Sequence, residues 1–137
     1  MKLIKSLLPS DQWERKGKLR KKSQKTDKFV ERYFELEKDR LYYYKADKSK
    51  EASITCIILS NANIRMYSSS QSVPAHKKLP AYIEQLGSKS YYILEIENDS
   101  RTYVLQAKSH FDLEEWFNAI FAQIESLKTN KAIVKNA

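Results

Sequence analysis

The run from Lys16 to Lys45, KGKLRKKSQKTDKFVERYFELEKDRLYYYK, restricts the fold more than any other part of the chain. Its residues change character with a period of two. Over Phe29–Glu37, Val30, Arg32, Phe34 and Leu36 alternate with Phe29, Glu31, Tyr33 and Glu35, and an extended strand sends one set to each face. Lys16–Ser23 alternates in the same way, with Leu19 and Lys21 on one face and Lys18, Arg20 and Lys22 on the other. The polar stretch Ser23–Lys28 separates these strands, Glu37–Asp39 marks a second turn, and Arg40–Lys45 forms a third strand rich in tyrosine. Strands joined by turns this short pair antiparallel, because parallel neighbours need a crossover of about a dozen residues or more.

The rest of the chain continues in hairpins. Ile54–Leu59 and Ile64–Tyr67 read as strands, and Tyr91–Glu97 with Thr102–Ala107 as a hairpin about Asn98-Asp99-Ser100. Between them, Ser68–Ser90 is a long loop in which Ala81–Leu86, after Pro80, forms one helical turn. Ser109 followed by Asp112 resembles a capping box. Leu113, Trp116, Phe117, Ile120, Phe121, Ile124 and Leu127 then recur at helical spacing, which predicts one amphipathic helix of about four to five turns. The expected fold is α+β, mainly β. Seven antiparallel strands bend into two packed sheets or a partly open barrel, and the C-terminal helix caps it with Trp116 and Phe117 inward. At 137 residues this is one domain, over 15–128. Residues 1–14 precede it as a leader with Leu3, Ile4, Leu7 and Leu8 at the spacing of a short amphipathic helix, and 129–137 follow as a polar tail.

The charge is concentrated. Arg15–Lys50 holds fourteen Lys and Arg against six Asp and Glu, whereas the remainder holds eleven of each, so the net +8 belongs to the first hairpins. A pI near 9.5 calls for a polyanionic partner, a membrane surface or a nucleic acid. Catalysis finds no constellation: His76 and His110 lack metal-ligand spacing, and no CxxC, P-loop or GxGxxG occurs. We therefore expect neither enzyme activity nor a metal or other cofactor. The lone Cys56, in an apolar run, reads as a small buried hydrophobe, and the acidic residues of the strands as a solvated face. No apolar run reaches the roughly 20 residues of a membrane span, and Met1–Leu8 is too short and charged for a secretory signal, so a cytosolic protein is expected.

Parity places a candidate site. With Leu19 and Phe34 facing the core, Lys21 and Arg32 project from the same face, one step nearer the turn. Lys28 shares the parity of Arg32, and Tyr43 that of Leu41. The result is a positive mouth beneath the turn, where ammonium, guanidinium and phenol groups suit a multiply phosphorylated headgroup. Lys18, Arg20, Lys22 and Lys25 form a secondary basic surface.

Three segments in order carry a family likeness: Lys16-Gly17-Lys18-Leu19-Arg20-Lys21, then Arg32-Tyr33-Phe34-Glu35-Leu36, then Leu41-Tyr42-Tyr43-Tyr44. With Tyr103-Val104-Leu105-Gln106-Ala107, Ser109 and the helical Trp116, the chain resembles a pleckstrin-homology domain over about residues 14 to 128. The resemblance implies a seven-stranded bent sandwich capped by a helix, commonly a non-enzymatic membrane-targeting module that binds phosphoinositide headgroups. It also implies a headgroup pocket using Lys21, Arg32 and Tyr43, with Lys28, Lys45 and Lys50 as further phosphate contacts. Val30 stands where the family's second strand carries the first of two basic residues. The implied partner is a phosphoinositide or anionic membrane surface at the cytoplasmic face. One alternative is a protein-binding member of the same fold. Another is a nucleic-acid-binding β module stacking bases on Tyr42 and Tyr44.

Overall fold

The structure, a computed structural model, describes residues 15–45, 55–70, 78–86 and 89–136, with side chains through Thr129. Seven strands form one antiparallel sheet: β1 Arg15–Lys22, β2 Phe29–Glu37, β3 Arg40–Tyr44, β4 Thr55–Ile58, β5 Asn63–Ser68, β6 Tyr92–Glu97 and β7 Thr102–Gln106. A short helix α1, Ala81–Glu84, precedes β6, and a long helix α2, His110–Asn136, ends the chain. The strand order β4-β3-β2-β1-β7-β6-β5 is open, with β4 and β5 at its two edges. β1 is the hinge, pairing with β2 on one side and β7 on the other. This is the expected seven-stranded, helix-capped architecture.

Alternation gives the strands and burial folds them together. Leu19, Phe34, Leu36, Leu41, Ile57, Leu94, Ile96 and Leu105 are buried along the inner face, and Leu113, Trp116, Ile120 and Ile124 of α2 close over them. Left-handed backbone at Lys38 (φ 50) turns the chain between β2 and β3, and Asn61 (φ 62) does so between β4 and β5. Ser109 caps α2 as expected, its hydroxyl accepting from the Asp112 N–H at 3.1 Å. The Asp112 carboxylate turns to Arg15, 3.0 Å away, which fixes the start of β1 to the helix. His110 ties the same turn to the sheet, its Nδ1 lying 2.7 Å from Ser68 Oγ and its Nε2 2.9 Å from Glu114.

Several expectations are corrected. α2 runs on to Asn136, past the Lys128 at which the sequence pattern places a polar tail. Phe121 is 46% exposed and stacks on Phe117 at 5.9 Å instead of joining the core, since its position lies off the centre of the buried stripe. Two strand carboxylates are buried, not solvated. Glu35 accepts from Tyr44 Oη at 2.5 Å, and Glu95 accepts from Arg65 Nε at 2.8 Å and from Tyr82 Oη. Cys56 is only half-buried, with Arg40 Nη1 at 3.5 Å from its sulfur, because its neighbour Ile57 takes the inward position on β4. The leader, residues 1–14, lies outside the described residues.

Candidate anion-binding site at the first hairpin

Register decides which side chains meet. The β1–β2 ladder pairs Lys21 with Val30, Leu19 with Arg32 and Gly17 with Phe34, and Phe34 pairs in turn with Tyr43 on β3. Directly opposed residues share a face, so Lys21, Arg32 and Tyr43 all lie on the face that carries the buried Leu19 and Phe34. Lys21 and Arg32 are diagonal neighbours, within reach of one another for long side chains. Tyr43 is oriented by stacking on Phe34, with centroids 5.4 Å apart and planes at 28°. Lys21 Nζ stands 5.3 Å from the Tyr43 ring centroid, a cation–π contact that holds the ammonium over the phenol.

These three residues line one cleft of about 320 Å³ with Ser23, Gln24, Lys25 and Val30. Its electrostatics are set by burial and by neighbouring positive charge. Burial, then the charges of Arg101 and Arg32, push the Lys21 ammonium below the ordinary lysine value of 10.5. Burial pushes the Tyr43 phenol up, so it remains a hydroxyl donor. Three cations, Lys21, Lys25 and Arg32, thus line a small space, with the charge of Arg101 acting on Lys21 as well. Among the described residues no group of His, Cys, Asp and Glu is arranged to hold a metal ion.

Not every expected residue arrives. Lys28 is exposed and does not line the cleft, although it faces Ser23 at the last hydrogen-bonded pair before the turn. Lys25, assigned from the sequence to the secondary basic surface, lines the cleft. Lys22 turns to the loop carbonyls of Ser23 and Thr26, each 3.4 Å away, and to Asp27 at 3.8 Å. Lys18 and Arg20 face outward as expected, Lys18 beside Glu31 at 3.7 Å and Arg20 donating to the Phe29 carbonyl at 3.3 Å. Lys45 is exposed just after β3, outside the cleft lining, and Lys50 lies outside the described residues. The stacking surface expected of a nucleic-acid module is absent at Tyr44, which is 3% exposed.

One contributor escapes sequence reading. Arg101, in the β6–β7 turn, lies with its guanidinium 4.2 Å from the Tyr103 ring centroid, and its buried Nε has no hydrogen-bond partner. Its charge acts on both Lys21 and Tyr43. Only the antiparallel β1–β7 pairing, Lys21 opposite Leu105, brings that turn to the end of the sheet that holds the first hairpin.

Comparison with known proteins agrees with this architecture. The family model described as PH domain matches residues 13–125. No curated protein sequence matches the chain. Among solved structures, the PH domain of human TBC1 domain family member 2 protein is similar, with a TM-score of 0.60 at 19% identity, covering 85% of this chain and 84% of that one. The C-terminal PH domain of pleckstrin in complex with D-myo-Ins(1,2,3,4,5)P5 has a TM-score of 0.52 at 23% identity, covering 77% of this chain and 92% of that one. The Slm1-PH domain in complex with phosphoserine has a TM-score of 0.57 at 20% identity, covering 80% and 94%.

Proposed function

This chain belongs to the PH domain family, and from that premise we propose that it binds phosphoinositide headgroups on anionic membranes through the cleft at its first hairpin. PH domains are generally non-catalytic modules, and the role inferred here is recruitment to the cytoplasmic face of a membrane. The observation that carries the reading is the convergence of Lys21, Arg32 and Tyr43 on one cleft, with Lys25 in its lining. Each phosphate oxygen offers charge-assisted hydrogen bonds to such donors. The +8 charge supplies the long-range attraction, about 1 kcal/mol for each basic residue near an anionic surface. Two structural neighbours hold ligands of the same anionic chemistry, an inositol pentakisphosphate and phosphoserine.

A second reading, a protein-binding PH domain with weak lipid preference, rests on Val30, which is 41% exposed and forms an apolar wall of the cleft. Flotation with vesicles that contain or lack phosphoinositides separates the two. Lys21→Ala combined with Arg32→Ala is expected to lower phosphoinositide-vesicle binding at least tenfold while the circular dichroism spectrum is kept. If the double variant floats as the parent does, the cleft is not the headgroup site. If the parent shows no phosphoinositide dependence, the protein-binding reading replaces it.

A further inference from the structure

β1 is paired unevenly. Against β2 the whole of Arg15–Lys22 is in register, but against β7 only Arg20–Gln106 and Lys21–Leu105 pair. The phase of the hairpin tells which backbone groups this leaves over. The Ser23 N–H donates to the Lys28 carbonyl at 2.9 Å, which makes Ser23–Lys28 a hydrogen-bonded pair. Alternate pairs back along the ladder, Lys21–Val30, Leu19–Arg32 and Gly17–Phe34, therefore direct their N–H and C=O groups at β2. Lys16, Lys18 and Arg20 direct theirs the other way. Arg20 meets Gln106, where β7 ends, and the next residue, Ala107, donates its N–H to the Tyr92 carbonyl at 2.9 Å. Among the described residues, Lys16 and Lys18 have no strand partner on this side.

The half-edge borders a groove of about 530 Å³ between β1, the end of β7 and the start of α2. It shares no lining residue with the headgroup cleft. Its floor is apolar: Gly17 lies against Trp116, so that a Cβ at that position would sit 3.5 Å from Trp116 Cζ2, and Leu19 and Ala107 continue the surface. Its rim is basic, with Lys16, Lys18, Arg20 and Lys108 exposed. The two carboxylates present are already engaged, Glu31 by Lys18 at 3.7 Å and Asp112 by Arg15 at 3.0 Å.

We propose that this groove takes an extended acidic segment of a partner protein, which adds to β1 as a short strand paired with Lys16 and Lys18. A row of alternating N–H and C=O groups is complementary to another backbone, and main-chain bonds of this kind supply affinity while alternate side chains supply selectivity. The period of two fixes that selectivity. Side chains on one face of the added strand meet the lysines and are acidic, and those on the other meet the Gly17–Trp116 floor and are small and apolar. A lipid headgroup offers nothing to pair with a strand edge.

The test uses the full chain and a capped heptapeptide alternating glutamate and valine, with amide hydrogen exchange followed by NMR. The Lys16 and Lys18 amides exchange freely without peptide and slow at least tenfold with it, whereas the lysine–valine counterpart leaves them unchanged. Lys18→Pro removes an N–H that the β1–β2 ladder does not use, and is expected to weaken peptide binding at least tenfold. If that variant does not fold, the combined Lys16→Glu, Lys18→Glu and Lys108→Glu variant carries the test with the same expected loss. Slow exchange of both amides in the free protein would mean that the chain closes its own edge and would overturn the proposal. So would peptide binding that leaves them unprotected, or protection by phosphatidylserine vesicles instead of the peptide.

Discussion

Lys21 and Val30 stand directly opposite one another across the first hairpin, both on the face that carries the core. The cleft thus has a cation on one wall and an exposed aliphatic side chain on the other, where a second cation would have the same access to a bound anion. Val30→Lys is expected to strengthen binding to phosphoinositide vesicles roughly fivefold, the equivalent of about 1 kcal/mol for one more basic residue at the surface. Val30 is 41% exposed, so little packing is lost. Vesicle titration checks this, and unchanged affinity would place the headgroup elsewhere.

The Lys21 ammonium predicts a pH dependence. In the free cleft its pKa lies below 10.5, first because of burial and then because of Arg101 and Arg32. A phosphate beside it favours the charged form and raises the pKa again, so binding takes up a proton and affinity falls as pH rises between the free and bound values. Stability moves in the opposite direction. The unfolded chain, with the ordinary lysine value, binds more protons than the folded one in the window just below 10.5, so the fold gains stability as pH rises there. Lys21→Met is therefore expected to weaken headgroup binding while raising Tm slightly at neutral pH. Calorimetric titration in two buffers of different ionisation enthalpy, with thermal melts of both proteins, tests the pair of outcomes.

Much of the cleft was legible because a strand's period of two survives an error of a residue at either end. Phe29–Glu37 fixes the faces of β2, and the same rule carried across two turns puts Lys21, Arg32 and Tyr43 together. The rule says less about the turn Ser23–Lys28, where Lys25 lines the cleft and Lys28 lies outside its lining. Arg101 was invisible for a different reason: it lies eighty residues from Lys21 in sequence, and only the β1–β7 register joins them. Glu35 and Glu95 were misread because alternation identifies the second face of a strand without saying what covers it.

Glu95 is a case where that misreading has an energetic consequence. It lies opposite Arg65 on β5 and accepts from Arg65 Nε at 2.8 Å, while Tyr82 of α1 donates its hydroxyl to the other carboxylate oxygen. Burial and this bond push the Tyr82 phenol well above its usual range. Glu95→Ala leaves the partly buried Tyr82 hydroxyl without its acceptor and Arg65 with Glu97 alone, 3.1 Å from Nη1, and is expected to cost about 2–3 kcal/mol. Glu95→Gln retains an acceptor and should cost about 1–2 kcal/mol. Urea denaturation measures both. A loss in Glu95→Ala no larger than a surface substitution would mean that α1 is held to the sheet by Ile83 alone.

Gly17 gives the opposite sign. It sits mid-strand, opposite Phe34 and over Trp116, where close packing would ordinarily forbid a side chain. Yet a Cβ there would stand 3.5 Å from Trp116 Cζ2, an ordinary van der Waals contact, and β1 is regular through this position. Alanine therefore fits without displacing the indole, and it removes the backbone freedom that glycine contributes to the unfolded chain. Gly17→Ala is expected to stabilise the protein by about 0.4–1 kcal/mol in urea denaturation, with unchanged m-value. Larger side chains reverse the gain, because their Cγ atoms reach the indole ring that closes the core. Destabilisation by alanine itself would show that β1 and Trp116 are packed more tightly than this contact allows.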